Sequence, residues 1–236
     1  MQARYESACP PRPRSGYFAS EAKETMILAT PRGTNWQIDD AADKLRRRAK
    51  LPGARLFDHV ADSLRRAKAA GMSAEDRLML ALPASWCVNS PAPSTVLRRW
   101  ALLPDREVWV ALIELFEAAG EGFDNEAEQA AMLALRALGR EPFAVEAISK
   151  VAALLVPEAV PLMPPAAMAF VLGDAVPDAR SFVAMVRWFV DATAQAQGEL
   201  ASVAAGHAEV SLVPGQVLDH LLWYDSEGFR HFQERV

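Results

Sequence analysis

The sequence predicts an all-α protein, an irregular multi-helix globular domain of about ten helices. Of its 236 residues, 51% are apolar and only 8% are aromatic, and its many Ala and Leu side chains lose little rotamer freedom in a helix. Apolar residues recur at intervals of three and four along most of the chain. Gly and Pro divide the chain into segments of helical length, and we find no alternating strand pattern of useful length and no internal repeat.

The first part of the chain lacks helical periodicity. It contains the motifs CPPRPRSG and ATPRGTNW, in which Pro and Gly interrupt any repeat. We therefore predict a flexible leader rich in Pro and Arg over residues 1–36, and Met26 is a candidate for the biological start. Residues 37–236 are predicted to form a single all-helical domain, with a possible sub-boundary in the loop 83–95.

Two consecutive basic helices open this domain. Asp39 or Asp40 can cap the first, which includes the run DKLRRRAK. Pro52 and Gly53 end it, and the second helix follows at once. Apolar residues at helical spacing define the buried face of the second helix, and Gly71 is a typical left-handed terminator.

A short third helix and a long loop come next. Ser73 and Asp76 have the spacing of a capping box, which predicts a helix reaching Leu82. The segment PASWCVNSPAPST, residues 83–95, contains three prolines and is predicted to be the longest internal loop.

Six further helices are predicted after residue 100. They start at Pro104, Asp124, residue 143, Pro165, Asp178 and Pro214. The segment from Asp178 to Ala205 is the longest periodic stretch, with one apolar face and a predicted bend near Gly198.

Charge is distributed very unevenly. Residues 44–68 contain nine Lys or Arg and two Asp, a net charge of +7, whereas residues 107–236 contain seven basic and nineteen acidic residues, a net charge of −12. Such a basic block attracts phosphate polymers or an acidic partner, and it can equally pack against the acidic half of its own chain. The candidate nucleic-acid contacts are Lys44, Arg46, Arg47, Arg48, Lys50, Arg55, Arg65, Arg66 and Lys68.

Familiar catalytic motifs are absent from the sequence: it contains no P-loop, no G-x-S-x-G, no H-E-x-x-H and no glycine-rich dinucleotide turn. Asp219 and His220 belong to the one local group of acid, base or ligand residues, and Cys87 is a second candidate. We expect no cofactor and no metal site. Two cysteines cannot form a disulfide framework, and no signal segment or long apolar run is present, so we expect a cytoplasmic protein without a membrane partner.

One segment carries a family resemblance. The run AISKVAALLVPEAVPLMPPAAMAFVLG, Ala147–Gly173, resembles the helix, Pro-containing turn and helix of the helix-hairpin-helix DNA glycosylase superfamily. The segment Val213–Trp223 is similar to the end of uncharacterised, non-catalytic relatives of this fold. The resemblance covers residues 105–225. Pro164 stands where the family has its catalytic Asp, and a single glycine replaces the glycine-rich hairpin, so the resemblance implies a glycosylase-like scaffold without base excision.

These observations leave three hypotheses. The first is a non-enzymatic helical protein that contacts nucleic acid non-specifically through the basic helices of residues 44–68. The second is a module for protein–protein interaction or self-association, suggested by the amphipathic segment from Asp178 to Ala205. The third is an enzyme that uses Asp219, His220 or Cys87, and this hypothesis requires those side chains to line one cleft.

Overall fold

The computed structural model describes residues 25–87, 105–119, 123–138, 144–173, 177–206 and 211–228. Most of these residues are helical, which confirms the all-α prediction. The strands are β1 (Met26–Ala29) and β2 (Asn35–Ile38). The helices are α1 (Ala41–Arg48), α2 (Pro52–Ala69), α3 (Ala74–Cys87), α4 (Arg106–Ala118), α5 (Asn125–Leu138), α6 (Ala144–Leu155), α7 (Pro165–Leu172), α8 (Ala179–Gln195), α9 (Gln197–Ala205) and α10 (Pro214–Trp223), followed by a π-helical turn, Tyr224–Gly228.

The strands form an antiparallel hairpin that pairs Met26 with Ile38 and Leu28 with Trp36. All four of these side chains are buried, while the alternate positions face outward. This corrects the prediction of a flexible leader for residues 25–36 and of a chain without strands, because four-residue strands are too short to give a clear alternating pattern. Residues 1–24 lie outside the described residues.

Helix α8 lies at the centre of the core. Its apolar face, which includes Phe182, Val186 and Phe189, is fully buried, and the ring of Phe182 stacks on Phe116 of α4 with the centroids 5.8 Å apart. The helix ends at Gln195, and α9 begins two residues later. The predicted continuous helix from Asp178 to Ala205 is therefore two helices, divided close to the predicted bend.

The predicted caps at Ser73 and Asp124 are present, and Asp178 caps its helix in the same way. Each side-chain oxygen accepts a hydrogen bond from the backbone N–H three residues further on, at 3.1, 2.8 and 2.8 Å respectively, which satisfies a donor at the start of the helix. Asp40 precedes α1 without such a bond and adopts a left-handed backbone, with φ at 53°.

Helix α3 continues beyond its predicted end at Leu82. It passes through Pro83 and reaches Cys87, although Pro cannot donate a helical hydrogen bond. Leu82 and Ser85 are buried on either side of Pro83, so packing holds this last turn in helical form. Residues 83–87 of the predicted loop are therefore helical, and residues 88–95 lie outside the described residues.

Helix length and polarity also bear on membrane insertion. Within the described ranges, every helix is too short or too polar to cross a lipid bilayer.

Candidate nucleic-acid interface

The structure divides the nine basic residues of the block by exposure and by position. Three are buried or half-buried and have acidic partners: Lys44, Arg48 and Arg65. Two are exposed near the end of α2 and are also paired: Arg66 and Lys68. Four are exposed where α1 meets α2: Arg46, Arg47, Lys50 and Arg55.

Arg48 lies inside the protein and is only 5% exposed. Its Nη1 is 3.2 Å from Oδ2 of Asp58 on α2, and Oδ1 of Asp58 is 2.9 Å from Nε2 of His220 on α10. Burial alone would raise the pKa of Asp58, but the charges of His220 and Arg48 outweigh it and lower that pKa. Asp58 therefore links α1, α2 and α10, and Arg48 is buried in this contact and is not part of the exposed basic surface.

Asp219 is buried beside this ion pair. Its Oδ1 accepts a hydrogen bond from the backbone N–H of Leu162 at 2.9 Å. Burial raises the pKa of Asp219 to about 7, against the opposing charge of Arg48. The candidate acid and base residues Asp219 and His220 thus contact the interior of the fold, and Cys87 ends a different helix, α3.

The acidic half of the chain neutralises part of the basic block, as one interpretation of the charge pattern predicted. Nζ of Lys44 lies 2.7 Å from Asp225 in the π-helical turn, and the same carboxylate accepts a hydrogen bond from Nε1 of Trp36 at 2.9 Å. Glu117 on α4 lies 3.1 Å from Nζ of Lys68. These contacts hold the hairpin, α1 and α2 against the second half of the protein.

Asp62 neutralises the next two cations. Its carboxylate is 2.5 Å from Arg65 and 2.6 Å from Arg66. Arg65 also donates to the backbone carbonyl of Ser211 at 2.9 Å, which fixes its direction. Arg66 remains 72% exposed despite its partner.

The other four cations are exposed where α1 passes into α2, and we call this surface the junction patch: Arg46, Arg47, Lys50 and Arg55. All four side chains are exposed. Nε of Arg55, on α2, donates to the backbone carbonyl of Ala49, directly after α1, so the two helices present their charges together. Asp43 is the acidic partner within α1, 3.6 Å from Arg46 and 2.8 Å from Arg47.

The charge of Arg47 is reinforced by its neighbours. The carboxylate of Asp43 and the hydroxyl of Tyr224 raise its pKa. A cation held in this way keeps its charge at every physiological pH, as Arg does in general.

The remaining candidate ligands are the other histidines and the acidic residues. Among residues 25–228 that the structure describes, no three His, Cys, Asp or Glu side chains are arranged to hold a metal ion. His59 is exposed on α2, and His207 and His231 lie outside the described residues.

The sequence analysis identified the basic block but did not predict which of its cations are buried and which are exposed. The partner of Arg48 is ten residues away along the chain, and the partner of Lys44 is 181 residues away. The one local signal is helical geometry, because successive residues turn by about 100° and the run Arg46 to Arg48 must therefore place one side chain on a different face from the others.

We compared the chain with known protein families, curated proteins and solved structures. No protein-family model, curated protein or solved structure matches this chain. The functional conclusion therefore depends on the chain's own residues.

Proposed function

We propose that the protein is a non-enzymatic helical protein that contacts nucleic acid through the junction patch without sequence preference. The observation that supports this is the presence of four exposed cations at the junction of two helices in an otherwise acidic chain. Of the other five cations of the basic block, three are buried or half-buried and two lie near the end of α2, so the proposed interface is smaller than the sequence predicted.

The chemistry of the patch favours phosphate over base edges. Arg and Lys side chains that contact phosphates displace condensed counterions, which makes the affinity fall as salt is added. Such contacts position a protein on nucleic acid but carry no sequence information. With four cations, the slope of log K against log salt has a limit of about −3.6 on duplex DNA.

The resemblance to the helix-hairpin-helix DNA glycosylase superfamily agrees with this proposal but remains a prediction. Residues 139–143, which contain its single-glycine hairpin, lie outside the described residues. Ala147–Gly173 folds into α6, a buried connection and α7. A scaffold that retains a fold without its catalytic acid is suited to binding, by analogy with other folds that serve several functions.

The main alternative is a protein-interaction or self-association module. The apolar helix face that first suggested it is not available to a partner. The apolar face predicted for residues 178–205 packs into the core through α8. A different observation now favours this alternative: Met72, Met79 and Leu80 are 38%, 45% and 51% exposed, on α3 and the turn before it. Sedimentation velocity over a hundredfold concentration range tests it, and a constant monomer would contradict self-association.

The proposed nucleic-acid contact can be tested by fluorescence anisotropy with labelled DNA at 50 mM salt. The test variant is Arg46→Gln with Arg47→Gln, and the matched control is Arg136→Gln with Arg180→Gln, two cations that are exposed elsewhere. Both pairs remove two positive charges. We expect the test variant to bind about tenfold more weakly than wild type and the control to bind within about twofold of it. Equal binding by the two variants would refute the assignment of the junction patch.

A further inference from the structure

Four buried ionisable side chains lie together behind the junction patch, and we call them the buried cluster: Arg48, Asp58, Asp219 and His220. Their exposed fractions are 5%, 6%, 4% and 3%. Asp58 lies at the centre, with one carboxylate oxygen 3.2 Å from Nη1 of Arg48 and the other 2.9 Å from Nε2 of His220. Asp219 belongs to the same group, because its pKa responds first to burial and then to the charges of Arg48 and Asp58. A change of charge on one member therefore affects the others.

The buried cluster and the junction patch are built on the same two helices. Arg48 directly follows Arg47 on α1, and Asp58 is three residues after Arg55 on α2. Arg47 and Arg55 face solvent, whereas Arg48 and Asp58 face each other in the interior. The electric field of the cluster thus reaches the patch through protein, where salt screens it much less than it screens surface charges.

Two members of the buried cluster are candidates to change charge near neutral pH. The imidazole of histidine ordinarily changes charge between pH 5 and 8, and burial raises the pKa of Asp219 to about 7. With both protons bound, the cluster holds positive charges on Arg48 and His220 and a negative charge on Asp58. Without them, Arg48 is positive and both carboxylates are negative. Raising the pH therefore changes the net charge of this interior from positive to negative.

Other charged groups lie on the elements packed around the cluster. Lys44 and Asp225 pair with each other, Asp62 pairs with two arginines of α2, and Lys150 is buried on α6, which packs against α2. The buried residues of α8 and α9 are uncharged. Carboxylates, lysines and arginines ordinarily keep their charges between pH 6 and 8, so the one further source of pH dependence on these helices is the exposed imidazole of His59, next to Asp58.

Resting on the proposed function, we infer that the buried cluster makes the junction patch sensitive to pH: as protons leave Asp219 and His220, the patch binds nucleic acid more weakly. Negative charge added behind the four cations reduces their attraction for phosphate. Loss of the His220 proton also weakens the contact between α10 and Asp58, which holds Arg48 and with it α1. The phosphate backbone stays negative throughout this range, so the change arises in the protein.

The test measures fluorescence anisotropy with labelled duplex DNA at pH 6 and pH 8, both at 50 mM salt. We expect wild type to bind about three- to fivefold more weakly at pH 8. The variant with Asp219→Asn and His220→Gln should bind within about 1.5-fold at the two pH values. Asp219→Asn alone, which keeps the contact of His220 with Asp58, should lose about half of the effect on a logarithmic scale, and it provides the test if the double variant does not fold.

His59→Gln is the matched control, because it removes the exposed imidazole of α2 and leaves the buried cluster intact. This variant should keep the pH dependence of wild type. Far-UV circular dichroism at both pH values verifies that each variant is folded.

The inference and the proposed function fail in different ways. Equal wild-type affinity at the two pH values, or an unchanged pH dependence in Asp219→Asn, would overturn the inference. A pH dependence that disappears in His59→Gln would overturn it as well, since the exposed imidazole would be its source. If the variant with Arg46→Gln and Arg47→Gln still bound more weakly at pH 6 in those cases, the proposed function would stand. No wild-type binding at either pH would overturn both.

Discussion

Arg48 and Asp58 form an ion pair across 3.2 Å in which 6% and 9% of their side chains are exposed. Arg48 is the last of three consecutive arginines, and its two neighbours point to solvent. The basic run therefore serves two purposes: Arg48 holds α1 against α2, and this contact sets the direction in which Arg46 and Arg47 face outward. The positions of the two exposed arginines therefore depend on the buried ion pair between Arg48 and Asp58.

Removing the side chain of Arg48 should destabilise the folded protein, because it leaves the carboxylate of Asp58 buried without that partner. We expect Arg48→Ala to lower the free energy of unfolding by about 3 to 5 kcal/mol. Arg46→Ala, the matched change at an exposed position, should alter it by no more than about 0.5 kcal/mol. Urea denaturation of both variants measures the difference. Similar urea midpoints for the two variants would show that the buried ion pair of Arg48 does not stabilise the fold.

The elevated pKa of Asp219 predicts a pH dependence of stability. An unfolded Asp has a pKa of about 3.9, whereas the folded value is about 7. Between these values the folded state holds the extra proton, so stability falls as the pH rises and the loss is complete above pH 7. The contribution is on the order of 4 kcal/mol.

Asp219→Asn should remove this dependence, because Asn cannot ionise and its side-chain oxygen can still accept from Leu162. We expect the stability of the variant relative to wild type to rise by about 3 kcal/mol between pH 5 and pH 8. Unfolding free energies from urea titrations at the two pH values provide the comparison. A variant that is destabilised equally at both would show that the charge of Asp219 is not the cause.

Local features could be predicted from the sequence, and distant ones could not. The caps at Ser73, Asp124 and Asp178 and the terminator Gly71, whose φ is 88°, involve residues within one helical turn. The pairing of Lys44 with Asp225 joins residues 181 positions apart, and no local pattern specifies it. The hairpin was missed for a related reason, since its buried side chains are fixed by contact with distant helices, as when Nε1 of Trp188 donates to Ala29 at 2.9 Å.

Gly215 is required by close backbone packing near the start of α10. A Cβ atom there would lie 2.9 Å from Cα of Glu158 and closer still to the carbonyl oxygen of Pro157. Gly215→Ala should therefore destabilise the protein by about 1 to 3 kcal/mol, since backbone atoms must move. Gly198→Ala is the control, because a Cβ atom there meets nothing within 4 Å, and the helical position should gain about 0.5 to 1 kcal/mol. Melting temperatures that shift in the same direction for both variants would contradict this account.

Asp225 should anchor the hairpin to the second half of the chain. Asp225→Ala removes the acceptor of Trp36 and the partner of Lys44, which we expect to cost about 1 to 3 kcal/mol. Amide hydrogen exchange should speed up in residues 26–38. Asp39→Ala is the comparison, because its contacts with Thr25 and Gln37 are exposed and should be worth less than about 0.5 kcal/mol. Unchanged exchange in Asp225→Ala would show that the core face of the hairpin holds it without the carboxylate.

The salt dependence of DNA binding tests the central claim most directly. The affinity of wild type for a labelled DNA duplex is measured between 50 and 200 mM salt, alongside the variant with Arg46→Gln and Arg47→Gln. If the junction patch contacts phosphates, the wild-type slope of log K against log salt should lie between about −2 and −3.6, and the variant's slope should be shallower by about 1.8. Identical slopes, or no binding at 50 mM salt, would contradict the proposal.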